Sequence, residues 1–171
     1  FLGLPGGAVA SASPELLASL RDGVARSAPI KGTRPLGRGA ELAESVKDRA
    51  EHVMIVDLVR NDLGRVAVPG GVRVERLFAP LATPYVEHMV SEVAADVRAG
   101  TTAADLLRAV FPGGSVTGCP KLRAMEVIRE LEPAGRGPAF GSVLALGADG
   151  SLEASVAIRT AWVAGGEARY W

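Results

Sequence analysis

Residues 140–171 read FGSVLALGADGSLEASVAIRTAWVAGGEARYW, and this tail decides the fold class. Phe140 to Leu146 is an apolar, β-prone run. Ala148-Asp149-Gly150 supplies a hairpin turn, because glycine after aspartate tolerates the left-handed backbone such turns need. Leu152 to Val163 then reads as one long strand, and Gly165-Gly166 marks a second turn before a last strand that reaches Trp171. Consecutive hairpins imply an antiparallel sheet.

Upstream the pattern changes. From Glu41 to about Leu63, Leu42, Val46, Ala50, Val53/Met54 and Leu58 recur every three to four residues, which predicts a helix closed by Gly64. Thr83-Pro84 resembles a cap followed by a first-turn proline and predicts a second helix to about Arg98. A third follows Thr101-Thr102 and runs to Phe111. A fourth opens at Pro120 and ends at Glu132-Pro133. Val9 to Ser13 and the stretch around Asp22-Gly23 read as strand ends and turns, and Val66 to Leu77 as extended. Helices and hairpins mix without β-α-β alternation, so the fold class is α+β.

The 171 residues fit a single domain. Nineteen basic and nineteen acidic side chains cancel, which argues against a nucleic-acid or membrane-surface partner. No apolar run approaches the ~20 residues of a membrane span. A single cysteine excludes an intrachain disulfide framework and fits a reducing, cytoplasmic setting. Both ends, Phe1-Leu2-Gly3-Leu4 and Ala168-Arg169-Tyr170-Trp171, are apolar, the pattern expected of a piece of a longer protein.

Five groups of residues are candidates for chemistry. Lys31 lies in the turn-like Pro29-Ile30-Lys31-Gly32-Thr33, where glycine admits a close ligand and Thr33 offers a hydroxyl. An amine held away from water becomes a nucleophile; a solvated turn lysine fits the same spacing. Asp48 and Glu51, one helical turn apart, suit a hard divalent cation, or else a solvated helix face. Pro112 to Lys121 resembles a phosphate loop, but Cys119 stands where a nucleotide-binding loop needs lysine. Its free backbone N–H groups, with Ser115 and Thr117, suit a carboxylate or other anion, or simply lead into a helix. Cys119 reads as a small filler. Arg159, on the predicted long strand, can grip a carboxylate or face solvent. His88 on the predicted second helix, and Glu15 after Ser13-Pro14, complete the set: a histidine of structural or site use, and a carboxyl that reaches Lys31 only if a hairpin folds it back.

Together these stretches resemble the chorismate-utilising enzymes. The resemblance is carried, in order, by Ser11 to Glu15, Pro29 to Thr33, Lys47 to Glu51, Met54 to Val66, Phe111 to Lys121, Arg123 to Glu126 and Ala157 to Thr160. It covers most of the chain and implies a catalytic chorismate-binding domain over residues 1–171, part of a β-sandwich flanked by helices and cut at both ends. Lys31 places it with the members that aminate chorismate at C4, toward 4-aminobenzoate and folate. The anthranilate-forming members usually carry alanine there. The Pro-Gly-Gly-Ser loop agrees, whereas Cys119 replaces a common alanine.

The resemblance implies roles. Lys31 adds to C2 of chorismate as the C4 hydroxyl leaves, Glu15 protonates that hydroxyl, and ammonia from a glutamine amidotransferase partner then displaces the lysine. Glu51 aligns with a Mg2+ ligand and Asp48 with its acidic neighbour. Gly32, Thr33, His88, Ser115, Thr117, Gly141, Ser142 and Arg159 align with the substrate pocket, Arg159 on a carboxylate. The family continues past the last strand into segments that complete the metal site, so the segment by itself is expected to be inactive, with a non-catalytic remnant as the contrasting expectation.

Overall fold

The computed structural model describes residues 1–171. It holds eleven strands and five helices. The strands are β1 (Leu2–Leu4), β2 (Gly7–Ser11), β3 (Leu16–Arg21), β4 (Val24–Ala28), β5 (Ile30–Pro35), β6 (Ala67–Ala82), β7 (Val86–Val97), β8 (Ser142–Leu146), β9 (Leu152–Val156), β10 (Thr160–Ala164) and β11 (Glu167–Tyr170). The helices are α1 (Ala40–Glu44), α2 (Val46–Gly64), α3 (Ala103–Val110), α4 (Gly114–Thr117) and α5 (Lys121–Leu131). Every strand pairing is antiparallel. One sheet has the order β1-β2-β10-β11; the larger runs β5-β7-β4-β3-β9-β8, with β6 on the other edge of β7. The α+β expectation holds.

The core lies where α2 and α3 cover the larger sheet. Leu17 of β3, Val56 and Leu63 of α2, Val93 of β7, Leu106 and Val110 of α3, and Val156 of β9 form one buried cluster. Truncating a fully buried leucine such as Leu63 or Leu106 costs about 2–5 kcal/mol, because the cavity left behind relaxes only in part. Local chemistry sets the helix starts. The Ser45 hydroxyl accepts from the Asp48 N–H at 3.2 Å and divides the predicted single helix into α1 and α2. Thr102 and Asp105 cap α3 reciprocally.

Four sequence expectations are corrected. The predicted helix from Thr83-Pro84 to Arg98 is the strand β7, flanked by β4 and β5 on one edge and β6 on the other. Its consecutive residues His88, Met89, Val90 and Ser91 are all buried, so it lacks the two-residue alternation that marks a half-exposed strand. Leu152 to Val163 is not one strand: β9 belongs to the larger sheet and β10 to the smaller, and the chain changes sheets at Arg159, whose φ is 49°. The Pro29–Thr33 turn is a bulged strand, with a register shift between Lys31 and Thr33. The 112–119 loop contains the single helical turn α4.

The inward face of α2 also differs. Val46, Val53 and Met54 are exposed, whereas His52, Ile55, Val56, Asp62 and Leu63 are buried. The helix is turned about its axis so that two polar side chains point inward.

Candidate active site

β4 and β5 run end to end along one edge of β7, joined at Pro29, whose carbonyl accepts from the Ser91 N–H at 3.1 Å. The bulge follows at once. Gly32 adopts φ of +75°, and a Cβ there would come within 2.6 Å of Leu42 Cδ2 and 3.6 Å of Asp48 Cγ. Only glycine lets the strand pass so close to α1 and α2 while twisting Lys31 out of register.

Lys31 points at α2. Its Nζ lies 3.7 Å from Glu51 Oε2, and both side chains are more than a third exposed. Glu51 also faces Lys47 at 3.9 Å. Asp48 is committed differently: Arg34 donates to its Oδ2 at 2.9 Å, and the Ser45 hydroxyl and Arg34 together hold its carboxyl below the usual range.

Glu15 sits on the segment between β2 and β3 and is buried. Burial pushes its carboxyl pKa up; the Ser115 hydroxyl, then the charges of Lys31 and Arg159, draw it back without cancelling the rise. The protonated form of Glu15 is therefore favoured beyond the ordinary glutamate range, the condition a general acid needs. Glu15 and Ser115 line one small cavity, and the charges of Lys31 and Arg159 act on Glu15 from two other parts of the chain. Arg159 arrives from the sheet-switching point rather than from strand alternation.

Thr33 and His88 form a pair next to this group, Oγ1 to Nδ1 at 3.0 Å, across the β5–β7 ladder. His88 is buried on a strand, not on a helix. The remaining predicted residues are placed differently. Thr117 donates its hydroxyl to the Gly113 carbonyl at 2.9 Å, and Ser142 donates to the Ser155 carbonyl at 2.8 Å, so both hydroxyl protons are spent on backbone. Thr117 and Gly141 line a cavity of about 570 Å3 under α5, which does not include Glu15 or Lys31. Cys119 is exposed rather than a filler.

Sequence reasoning missed His52. It is buried on α2, its Nε2 is 2.6 Å from Ser91 Oγ, and its Nδ1 has no partner. Burial, and next the Lys31 charge, lower its pKa to about 4, so it is neutral at neutral pH. The available signal was its place one turn after Asp48 on the same helix stripe.

A divalent cation is tested against Glu51 and Asp48. Glu51 fits: its carboxylate is half-exposed and held only by two long ion pairs. Asp48 does not offer itself as a direct ligand while Arg34 occupies its Oδ2. No group of three histidine, cysteine or acidic side chains gathers elsewhere.

The scaffold is an antiparallel α+β fold on which a buried acid feels the charges of an amine and a guanidinium. The chain belongs to the chorismate binding enzymes, whose family model matches residues 1–171. It is 52% identical over 172 residues to a Klebsiella aerogenes protein named aminodeoxychorismate synthase component 1, covering 95% of this chain and 38% of that one. It is 47% identical to anthranilate synthase component 1 of Streptomyces coelicolor, over 96% of this chain and 34% of that one. The crystal structure of anthranilate synthase component I from Streptococcus pneumoniae superposes with a TM-score of 0.88 at 36% identity, covering 95% of this chain and 37% of that structure. The chain thus spans less than two-fifths of the length of these relatives. No helix is long and apolar enough to cross a membrane.

Proposed function

We propose that the protein containing this chain aminates chorismate at C4, giving 4-amino-4-deoxychorismate, through a covalent adduct on Lys31. The observation that supports this reading is the buried Glu15, whose pKa burial raises, with Lys31 and Arg159 near enough for their charges to act on it. The Lys31 amine forms a bond to C2 of chorismate. Both ring double bonds shift, and the C4–O bond breaks so that the hydroxyl departs as water, with the proton supplied by Glu15. Ammonia then bonds to C4, both double bonds return to their first positions, and the C2–N bond breaks to release the lysine amine. Ammonia comes from a glutamine amidotransferase partner. Arg159 holds a substrate carboxylate, while Gly32, Thr33 and His88 shape the adjoining wall.

Glu51 would hold Mg2+, with Asp48 orienting Arg34 beside it; when bound, the ion supplies charge neutralisation for the substrate carboxylate. Glu51 also pairs with Lys31.

The second reading is anthranilate formation, favoured by the 47% identity to the Streptomyces coelicolor protein of that name. Product analysis separates the two. The intact protein, given chorismate, Mg2+ and ammonium, should yield 4-amino-4-deoxychorismate; anthranilate as the main product would replace the first reading by the second.

A further inference from the structure

The loop that carries Ser115 into the cavity wall shared with Glu15 is closed by one partly buried lysine. Lys121, the first residue of α5, donates from Nζ to Asp62 Oδ2 on α2 at 2.7 Å and to the carbonyl of Val110, the last residue of α3, at 3.0 Å. Its side chain is 15% exposed and that of Asp62 8%. The amine thus binds the residue just before the 111–120 loop while its own backbone ends that loop, and it anchors both ends to α2.

The loop is gripped elsewhere too. Gly113 packs on Leu17 and Val156, and Gly114 lies against Leu58 of α2, where a Cβ would overlap the leucine side chain. Arg136 donates to the Val116 carbonyl at 3.0 Å. Asp62, Val110, Gly113, Gly114, Ser115 and Glu15 all line one cavity of about 20 Å3, room for about one water. The clasp and the acid therefore share a wall.

We infer that Lys121 is a positioning residue: by joining Asp62 to the Val110 carbonyl it holds α4 so that Ser115 stays in the cavity wall it shares with Glu15. The proposed function enters only in giving Glu15 its role. The groups that face Glu15 are Lys31 from β5, Arg159 from the β9–β10 junction, Ser115 from α4 and Asp62 from α2 across the cavity. Burial raises the Asp62 pKa, against the pull of its Lys121 bond. A lone unpaired Asp62 would be costly, but replacing both members of a buried pair by apolar side chains is often neutral for stability.

The test reads Glu15 ionisation directly, by 13C NMR titration of carboxyl-labelled glutamates in the intact protein, with Glu15→Gln assigning the resonance. Ser115→Ala should move the Glu15 midpoint upward, since it removes a hydroxyl that favours the charged form. Lys121→Met should move it upward by the same amount, and the two together by no more than either alone. If Lys121→Met does not fold, Asp62→Leu/Lys121→Met keeps the fold and should show the same shift. A Glu15 midpoint unchanged in the folded clasp variant, or an added shift from Ser115→Ala on top of it, overturns the inference. Turnover is read separately: a clasp that passes this test alongside a fully active Glu15→Gln would leave the clasp standing and remove the proposed function.

Discussion

The larger sheet carries two collections of charge that differ in one respect. On its outer surface Arg26, Arg73 and Arg76 face Glu75, Asp96 and Glu92 across β4, β6 and β7, at 2.9 to 3.6 Å, all substantially exposed. Around Glu15 the charges are no more numerous, but the acid is buried and its cations stand off at longer range. In the exposed ladder each charge is matched and solvated, so water screens what the pairs gain. At Glu15 the loss of water outweighs the cations and the protonated form gains. Burial, not the count of charges, separates an exposed ladder of ion pairs from a carboxyl that favours its protonated form.

This contrast can be broken in order of effect. Lys31→Ala should lower C4 amination by the intact protein on the order of 10^4-fold or more, as removal of a covalent nucleophile does, with an unchanged melting curve. Steady-state rates and calorimetry on the same sample check both halves.

Glu15→Gln should cost about 10^2- to 10^3-fold, the range of general acid catalysis. It should also abolish the alkaline limb of the rate profile that Glu15 deprotonation sets. The stability sign follows from linkage. A carboxyl whose folded pKa is raised contributes stability that is present below its ordinary value and lost as pH rises through the folded one. Urea unfolding across that window should therefore show Glu15→Gln gaining on the parent as pH rises.

Gly32→Ala should destabilise by about 1–3 kcal/mol, through positive φ and the approach to Leu42. It should also raise KM, because the bulge sets the direction of Lys31. Arg76→Ala, in the exposed ladder, should change neither rate nor melting temperature beyond error. A large effect there would erase the contrast.

The α+β class and the C-terminal hairpins were legible in the sequence because turns at Asp149-Gly150 and Gly165-Gly166 punctuate β-prone runs. α3 and α5 were legible from their caps. β7 was not. Buried on both faces, it shows runs of apolar residues that fit a helix as well as a strand, and only its neighbours decide. Arg159 was legible as a site residue but for a local reason that fails, since the chain leaves the sheet there. Lys31, Glu15 and Ser115 were legible as candidates one by one. The cavity that Glu15 shares with Ser115 was not, because strand pairing and a loop closure form it. His52 was hidden by its helix stripe, where Val53 and Met54 read as the inward face.

The most direct measurement is mass spectrometry of the intact protein incubated with chorismate and Mg2+ while ammonia is withheld. The account predicts a substrate-derived adduct on the peptide containing Lys31, discharged to 4-amino-4-deoxychorismate when ammonium is added. An unmodified Lys31 peptide, together with undiminished C4 amination in Lys31→Ala, would contradict it.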